Sequence, residues 1–208
     1  MIFKQIPVGM MANFVYVFGC EKTKEAAVVD PSSDLSDVLA FAKDKGLKIG
    51  WIFATHGHGD HTGGIRALAE QTGAKVVVHT GDAEGLKRSR IPADVIVEDG
   101  DTLKVGDIDV KIIHTPGHTP GSMCLLTNGK LITGDTLFVG NCGRSDLPGG
   151  SMEQLFDSLH KKLKPLADDI EVYPGHDYGD RPHSTMAYEK KTNPTLTCKS
   201  IEEFGMIP

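Results

Sequence analysis

The most constraining stretch of the chain is Thr55-His56-Gly57-His58-Gly59-Asp60-His61-Thr62, which places three imidazoles and one carboxylate within six positions. Such groups are costly in a protein interior unless each has a partner. Neutral imidazole and carboxylate are ligands that zinc, iron and manganese accept. Residues two apart on an extended stretch point the same way, so His56 and His58 can bind one ion. Asp60 and His61 follow where the backbone turns and can face a second ion.

The flanking segments predict that this motif lies at the end of a strand. Residues 49–54 form an apolar run of strand length, and residues 63–72 have the pattern of a helix. Ligands of α/β sheets bind at such carboxyl ends of strands. A surface histidine cluster without a role is the simpler alternative, but three histidines and an aspartate after a buried strand argue against it. A purely structural zinc site is disfavoured because such sites are rich in cysteine and this loop has none.

Three later loops each present one more metal-type ligand after a predicted strand. His118 lies in a Thr-Pro-Gly-His-Thr-Pro-Gly loop, Asp135 in Gly-Asp-Thr, and His176 in Tyr-Pro-Gly-His. This recurrence predicts one composite metal site. The remaining histidines do not follow the pattern and are interpreted as core or surface residues: His79, His114, His160 and His183.

The order of predicted elements indicates two sheets rather than one doubly wound sheet. Strands at 2–7, 13–20 and 25–30 come first, strands at 49–54 and 75–79 alternate with helices, and strands at 95–97, 102–105, 108–114, 123–127 and 130–133 follow. This order predicts two sheets with helices outside. We also expect a short polar helix at 81–90, a helix capped by Ser151 that continues through Leu163, and a strand at 170–173. One domain over 1–208 is expected, with a short C-terminal extension from about 186 that holds one more helix.

Composition narrows the functional classes. The net charge is −6 and the pI is near 5.8, so no basic face for nucleic acid is indicated. No stretch has the apolar length of a membrane helix, and the first residues do not resemble a signal peptide. The four cysteines (Cys20, Cys124, Cys142 and Cys198) show no pairing pattern. A reducing, cytoplasmic location is therefore expected.

Together these motifs resemble the metallo-β-lactamase fold superfamily, in its glyoxalase II-like branch of hydroxyacylglutathione hydrolases and persulfide dioxygenases. The resemblance rests on the motif at 56–61, the three later loops and the Gly143-Arg144 turn, and spans nearly the whole chain. It implies an α+β fold: a four-layer αββα sandwich with two mixed β-sheets packed face to face and helices outside. It implies one metal ion on His56, His58 and His118, a second on Asp60, His61 and His176, and Asp135 bridging both.

The function expected from these residues is hydrolysis of a thioester such as an acylglutathione. Two divalent ions (zinc, or iron or manganese) lower the pKa of a shared water, polarise the substrate carbonyl and stabilise the leaving thiolate. Asp60 and Asp135 are the candidate catalytic residues, with Asp60 both binding metal and orienting the nucleophile. The partner expected is a small thioester or glutathione-type substrate. A homodimer is the oligomeric state that we expect.

The main alternative is a persulfide dioxygenase that oxidises glutathione persulfide with a single Fe(II). The resemblance implies that its iron would be held by His56, His118 and Asp135, a set that leaves positions open for O₂ and a thiol. Glyoxalase II proper usually has aromatic residues after its Gly-Arg and a further helical domain, whereas this chain has Ser145-Asp146-Leu147 and stops at 208. These departures favour a compact hydrolase or a dioxygenase relative. Another hydrolase of the same fold, a structural metalloprotein and a nuclease are further alternatives.

Three residues are candidates for substrate binding: Arg144, Asn141 and Tyr178. For Arg144, a structural salt bridge with Asp146 is the preferred interpretation, and contact with an anionic substrate is the alternative.

Overall fold

The computed structural model describes residues 1–207, and its first sheet is built from the amino-terminal half of the chain. Its order is β1-β2-β3-β4-β5-β6, with bounds Ile2–Val8, Asn13–Gly19, Glu25–Val29, Lys48–Phe53, Lys75–His79 and Val95–Val97. β1, β2 and β3 pair antiparallel, whereas β3 to β6 run parallel. The carboxyl ends of β3, β4 and β5 therefore lie at one edge.

The second sheet has the order β14-β13-β10-β9-β8-β7. In chain order its strands are β7 (Thr102–Val105), β8 (Ile108–His114), β9 (Met123–Thr127), β10 (Lys130–Gly134), β13 (Glu171–Pro174) and β14 (Ser184–Thr185). A small ribbon of β11 (Leu137–Phe138) and β12 (Asn141–Cys142) follows β10. β10 and β13 run parallel, and β8 and β10 each pair antiparallel with β9. β8, β10 and β13 therefore also end at a common edge.

The helices lie outside the two sheets. They are α1 (Ser36–Lys45), α2 (Gly59–Thr62), α3 (Ile65–Thr72), α4 (Thr80–Arg88), α5 (Met152–Asp157), α6 (Met186–Thr192), α7 (Pro194–Thr197) and α8 (Ile201–Phe204). Within residues 1–207, none is long and apolar enough to cross a membrane.

Strand β2 explains the layering, because all seven of its residues are buried. Phe14, Tyr16 and Phe18 join the apolar cluster between the two sheets. Val15 and Val17 point the other way, into the cluster covered by α1 and α3. Each such fully buried large side chain stabilises the fold by about 1.5–3 kcal/mol. A third cluster packs the carboxyl-terminal helices on the second sheet, which confirms the predicted αββα sandwich.

Several predicted helices differ in detail. Ser151 does cap α5, since its hydroxyl accepts from the amide of Gln154, but the helix becomes a π-helix over Ser158–Leu163. The tail forms three short helices instead of one. The helix at 80–88 is not only polar and exposed, because Asp82 and Leu86 are buried.

Candidate metal centre

The seven ligand-type residues of the sequence motifs come together where the strand ends of both sheets meet. His56 and His58 follow β4, and Asp60 and His61 lie on the short helix α2. From the second sheet, His118 lies between β8 and β9, Asp135 follows β10 and His176 follows β13. Residues up to 120 positions apart, from 56 to 176, thus share one edge of the sandwich.

One group consists of His56, His58 and His118, whose donor atoms lie within 4.8 Å of one another. Their ring centroids are 4.8, 4.8 and 4.6 Å apart, so the three rings form a nearly equilateral set. Nδ1 of His58 faces Nε2 of His118 at 2.9 Å. This arrangement offers three nitrogen ligands to one ion.

A second group consists of Asp60, His61 and His176, again within 4.8 Å. Nε2 of His61 and Nε2 of His176 are 3.0 Å apart. Oδ2 of Asp60 lies 3.3 Å from the first nitrogen and 3.4 Å from the second. Two imidazoles and a carboxylate therefore converge on one point.

Asp135 lies between the two groups. Its Oδ2 is 3.5 Å from Nε2 of His118 and 3.3 Å from Nε2 of His176, and its Oδ1 is 3.3 Å from Nε2 of His61. One carboxylate thus contacts both sets, which is the geometry that a bridging ligand requires.

Two backbone carbonyls set the ring tautomers of His118 and His176. Nδ1 of His118 donates to the carbonyl of Arg144 at 2.7 Å, and Nδ1 of His176 donates to the carbonyl of Met11 at 2.8 Å. A carbonyl can only accept, so each ring carries its hydrogen on Nδ1. The Nε2 atoms of both rings consequently face the centre as lone pairs.

Asp30 sets the tautomers of His56 and His61. Its Oδ2 accepts from Nδ1 of His61 at 3.0 Å and from the hydroxyl of Thr55 at 2.6 Å. Because the Thr55 hydrogen is used in this way, its oxygen accepts from Nδ1 of His56 at 3.1 Å. Nε2 of His56 and of His61 therefore also point inward as lone pairs.

Inward lone pairs at such short separations need a positive charge between them. Nε2 of His56 and Oδ1 of Asp135 are buried and have no hydrogen-bond partner within residues 1–207. Buried polar atoms without partners are rare in native proteins. Ring nitrogens held from behind by carbonyls and carboxylates are typical of metal-binding histidines. The residues present therefore fit divalent metal ions.

The charge states of the groups suit this role. Burial and the neighbouring His61 lower the pKa of His56 well below its usual range. Burial opposes ionisation of Asp135, but the surrounding imidazoles of His176 and His61 favour its anionic form and keep the pKa of Asp135 below its usual range. Burial also lowers the pKa of His61, but the carboxylates of Asp30 and Asp60 outweigh it and raise that pKa, so this group attracts a positive charge, either a proton or a metal ion. At neutral pH the centre thus has an anionic Asp135 and a neutral His56.

Sequence reasoning missed Asp30 and Asn13. Asp30 is buried, adopts φ 52° directly after β3, and lies in a third group with His56 and His61. Asn13 Nδ2 donates to Oδ2 of Asp60 at 2.8 Å. For Asp30 a signal existed, since it is an acidic residue directly after a buried strand, as Asp135 is. Asn13 carries no such signal.

The three candidate substrate residues lie in different places. Tyr178 stacks on His176 at a centroid distance of 4.6 Å and lines the open cavity of about 390 Å³ above the centre. Arg144 lines the same cavity, and its guanidinium is paired with Asp146 through two bonds of 2.9 Å, as preferred from the sequence. Asn141 lines an adjoining cavity instead.

The four other histidines lie outside the centre. His79 and His114 stack on each other at 3.7 Å, His160 stacks on Phe156, and His183 stacks on Tyr173. None of the four belongs to the ligand groups formed by residues 1–207.

Comparison with known proteins places this geometry in context. A family model described as the Metallo-beta-lactamase superfamily matches residues 8–176. Hydroxyacylglutathione hydrolase of Anaeromyxobacter dehalogenans is 42% identical over 166 residues, which cover 80% of this chain and 62% of that protein. This chain therefore spans less than two thirds of that hydrolase.

Persulfide dioxygenases align over more of the chain. The mitochondrial persulfide dioxygenase ETHE1 of Homo sapiens is 34% identical over 201 residues, covering 94% of this chain and 75% of that protein. The crystal structure of ETHE1 from Myxococcus xanthus superposes with a TM-score of 0.90 at 38% identity, covering 98% of this chain and 88% of that one. Both kinds of relative thus have similar levels of identity to the chain.

Proposed function

The chain belongs to the metallo-beta-lactamase superfamily, and we propose that it is a two-metal hydrolase that cleaves a thioester of the acylglutathione type. The observation that carries this proposal is the presence of two facing nitrogen pairs. One pair is His58 with His118 at 2.9 Å, and the other is His61 with His176 at 3.0 Å. Each pair needs its own positive charge, and Asp135 contacts a member of both.

The proposed ligands of the first ion are His56, His58 and His118. Those of the second are Asp60, His61 and His176, with Asp135 shared between the two ions. When bound, two such metal ions lower the pKa of a water molecule towards neutrality and polarise a substrate carbonyl.

Asp60 is the proposed positioning group for the attacking water. Its side chain is 24% exposed, against 10% for Asp135, so it faces the cavity more openly. Asn13 holds its Oδ2 at 2.8 Å, which leaves Oδ1 free to accept a hydrogen bond from water. Asp135 is more enclosed and serves to hold the two sites at a fixed separation.

The walls of the cavity suit the uncharged part of a thioester. Tyr178, Phe138 and Leu147 line it beside the ligand groups. Tyr178 packs edge-on against Phe138 at 5.4 Å, which fixes an aromatic wall over His176. These contacts orient the acyl group and exclude water from one side of the carbonyl. A glutathione leaving group is supported by the similarity of the chain to hydroxyacylglutathione hydrolases.

A second function, oxidation of a glutathione persulfide with one Fe(II), is favoured by a different observation. The crystal structure of ETHE1 from Myxococcus xanthus superposes over 98% of this chain with a TM-score of 0.90, and the alignment with human ETHE1 covers 94% of the chain. His56, His118 and Asp135 would hold that iron, since two histidines and one carboxylate suit mononuclear iron oxygenases.

One set of measurements separates the two functions. The protein is loaded separately with Zn²⁺, Mn²⁺ and Fe²⁺, its metal content is counted, and hydrolysis of lactoyl- and acetylglutathione is followed. Oxygen uptake by the iron form is measured after addition of glutathione persulfide. Two ions per chain with thioester cleavage support the hydrolase. One iron per chain with rapid oxygen uptake and no thioester cleavage would replace it by the dioxygenase.

A further inference from the structure

Asp82 is a buried carboxylate that the proposed mechanism does not use. It lies in the first turn of α4, directly after β5, and is only 8% exposed. A carboxylate in the first turn of a helix is common, but such residues are usually solvated. Burial of this side chain therefore calls for partners.

Its partners belong to two ligand loops. Oδ2 accepts from the amide of Gly57 at 2.8 Å and from the hydroxyl of Thr119 at 2.7 Å, and Oδ1 accepts from the amide of Gly121 at 2.8 Å. Gly57 lies between His56 and His58, and Thr119 directly follows His118. One carboxylate thus ties together the two loops that carry the three-histidine group.

The start of α4 also packs tightly against the 118–121 loop. A Cβ atom at Gly121 would lie 2.4 Å from the Asp82 amide nitrogen, and one at Gly81 would lie 2.5 Å from the carbonyl oxygen of Pro120. The start of α4 and the 118–121 loop therefore meet backbone to backbone. Because the two backbones have little room to move apart or together, this contact fixes the distance between His58 and His118.

We infer that Asp82 is a positioning residue that sets the metal affinity of the His56, His58 and His118 group without affecting the other group. The inference rests on the proposed metal centre. The selectivity follows from separate supports, because His61 is held by Asp30, His176 by the carbonyl of Met11 and Asp60 by Asn13. None of these bonds involves Asp82.

The test is the variant Asp82→Asn, which keeps the shape but turns one of the two oxygens into a donor facing another donor. Binding of Co²⁺ is measured by chelator competition, and the bound histidines are counted from their cobalt-shifted ring N–H resonances. We expect the affinity for the ion at the three-histidine group to fall about 10–100-fold, as is usual when a group that supports metal ligands through hydrogen bonds is replaced. Signals of the three histidines of the first group should weaken, while those of His61 and His176 remain.

Asp94→Asn is the matched control. Asp94 also accepts a backbone amide hydrogen, from Val76 at 2.8 Å, but near the opposite end of β5. This variant should bind Co²⁺ like the wild type. If Asp82→Asn does not fold, Thr119→Val removes one of the three donors, and a smaller loss at the same group is expected.

Two results would overturn the inference: affinities within twofold of the wild type, or equal losses for both groups. Failure of the proposed function gives a different result. If the wild type binds a single ion at the three-histidine group, the proposal of a two-metal hydrolase is wrong. The inference about Asp82 still requires that Asp82→Asn lowers the affinity for that single ion.

Discussion

Oδ2 of Asp30 accepts a hydrogen bond from Nδ1 of His61 at 3.0 Å, and both side chains are almost completely buried. This bond directs the lone pair on Nε2 of His61 towards His176 and Asp135. The same carboxylate accepts from the amide and the hydroxyl of Thr55. Asp30, which is not one of the seven proposed ligands, thus orients His61 directly and His56 through Thr55.

We predict that Asp30→Asn weakens metal binding about 10–100-fold, because the amide can no longer hold the His61 ring in one tautomer. The loss should be greatest for the ion bound by Asp60, His61 and His176. Chelator competition with Zn²⁺ measures it. Asp34→Asn is the control, since Asp34 is an exposed carboxylate that accepts from the amide and the hydroxyl of Ser36 and lies away from the centre. Unchanged affinity in Asp30→Asn would contradict the proposed role.

Asp135→Asn should lower thioester turnover by more than about 100-fold. This loss exceeds the roughly 10–100-fold effect that is usual when a group hydrogen-bonded to a metal ligand is replaced. The amide keeps the volume but removes the negative charge that both ligand groups share. Steady-state kinetics and metal content of the same preparation test this. Asp109→Asn is the control, because it breaks an exposed pair with Lys104 that is screened by solvent and contributes little to stability. Wild-type turnover in Asp135→Asn would rule out a bridging role.

Glu189→Ala should lower the free energy of unfolding by about 1–3 kcal/mol, since it removes a buried acceptor that three donors share and leaves the buried Ser184 hydroxyl without this partner. The fully buried Glu189 carboxylate accepts from the amide of Gly140 at 3.0 Å, from Asn193 Nδ2 at 2.8 Å and from the Ser184 hydroxyl at 2.5 Å. Because Gly140 joins β11 to β12, the loop after Phe138 should also loosen and raise KM.

Urea unfolding measures the stability of Glu189→Ala. Glu202→Ala, on the exposed side of α8, is the control and should leave the stability close to that of the wild type. An equally small change in Glu189→Ala would show that the tail does not support the loop.

Protonation of His79 should lower the stability of the protein in mild acid. Burial and the neighbouring His114 lower the pKa of His79 to about 4. The unfolded chain takes up a proton near pH 6.5, while the folded chain resists it. The stabilisation by neutral His79 is therefore complete above pH 6.5 and is lost as the pH falls towards 4.

The variant His79→Asn removes this contribution while leaving a residue that can accept the amide hydrogen of Gly81. Urea midpoints at pH 7.5 and 4.5 should differ less in the variant than in the wild type. An equal or larger difference would show that His79 does not titrate as described.

Much of the centre could be predicted from local sequence. The His-x-His-x-Asp-His stretch and the loops of His118, Asp135 and His176 each follow an apolar run of strand length. The carboxyl ends of strands with the same direction share an edge, so local spacing was sufficient to predict that these residues meet. Alternation was equally informative for β2, where Phe14, Tyr16 and Phe18 face one layer and Val15 and Val17 the other.

The roles of Asp30 and Asp82 could not be predicted in this way, although the position of Asp30 directly after a buried strand was a signal. Before Pro31, Asp30 has the pattern of a turn residue, and Asp82 that of an acidic residue in the first turn of a helix. Their partners lie 25 to 39 positions away, on loops that approach only after the strands have paired. The same holds for Glu189, whose contact with Gly140 joins the tail to the small ribbon of β11 and β12.

The sequence by itself thus determined which side chains can bind metal and at which edge of the sheets they lie, because strand and turn patterns act over short distances. Only the tertiary structure decided which ring nitrogen of each histidine faces the centre and which carboxylates hold the loops. Those choices depend on hydrogen bonds between segments far apart in the chain, and the spacing of residues along it carries no record of them.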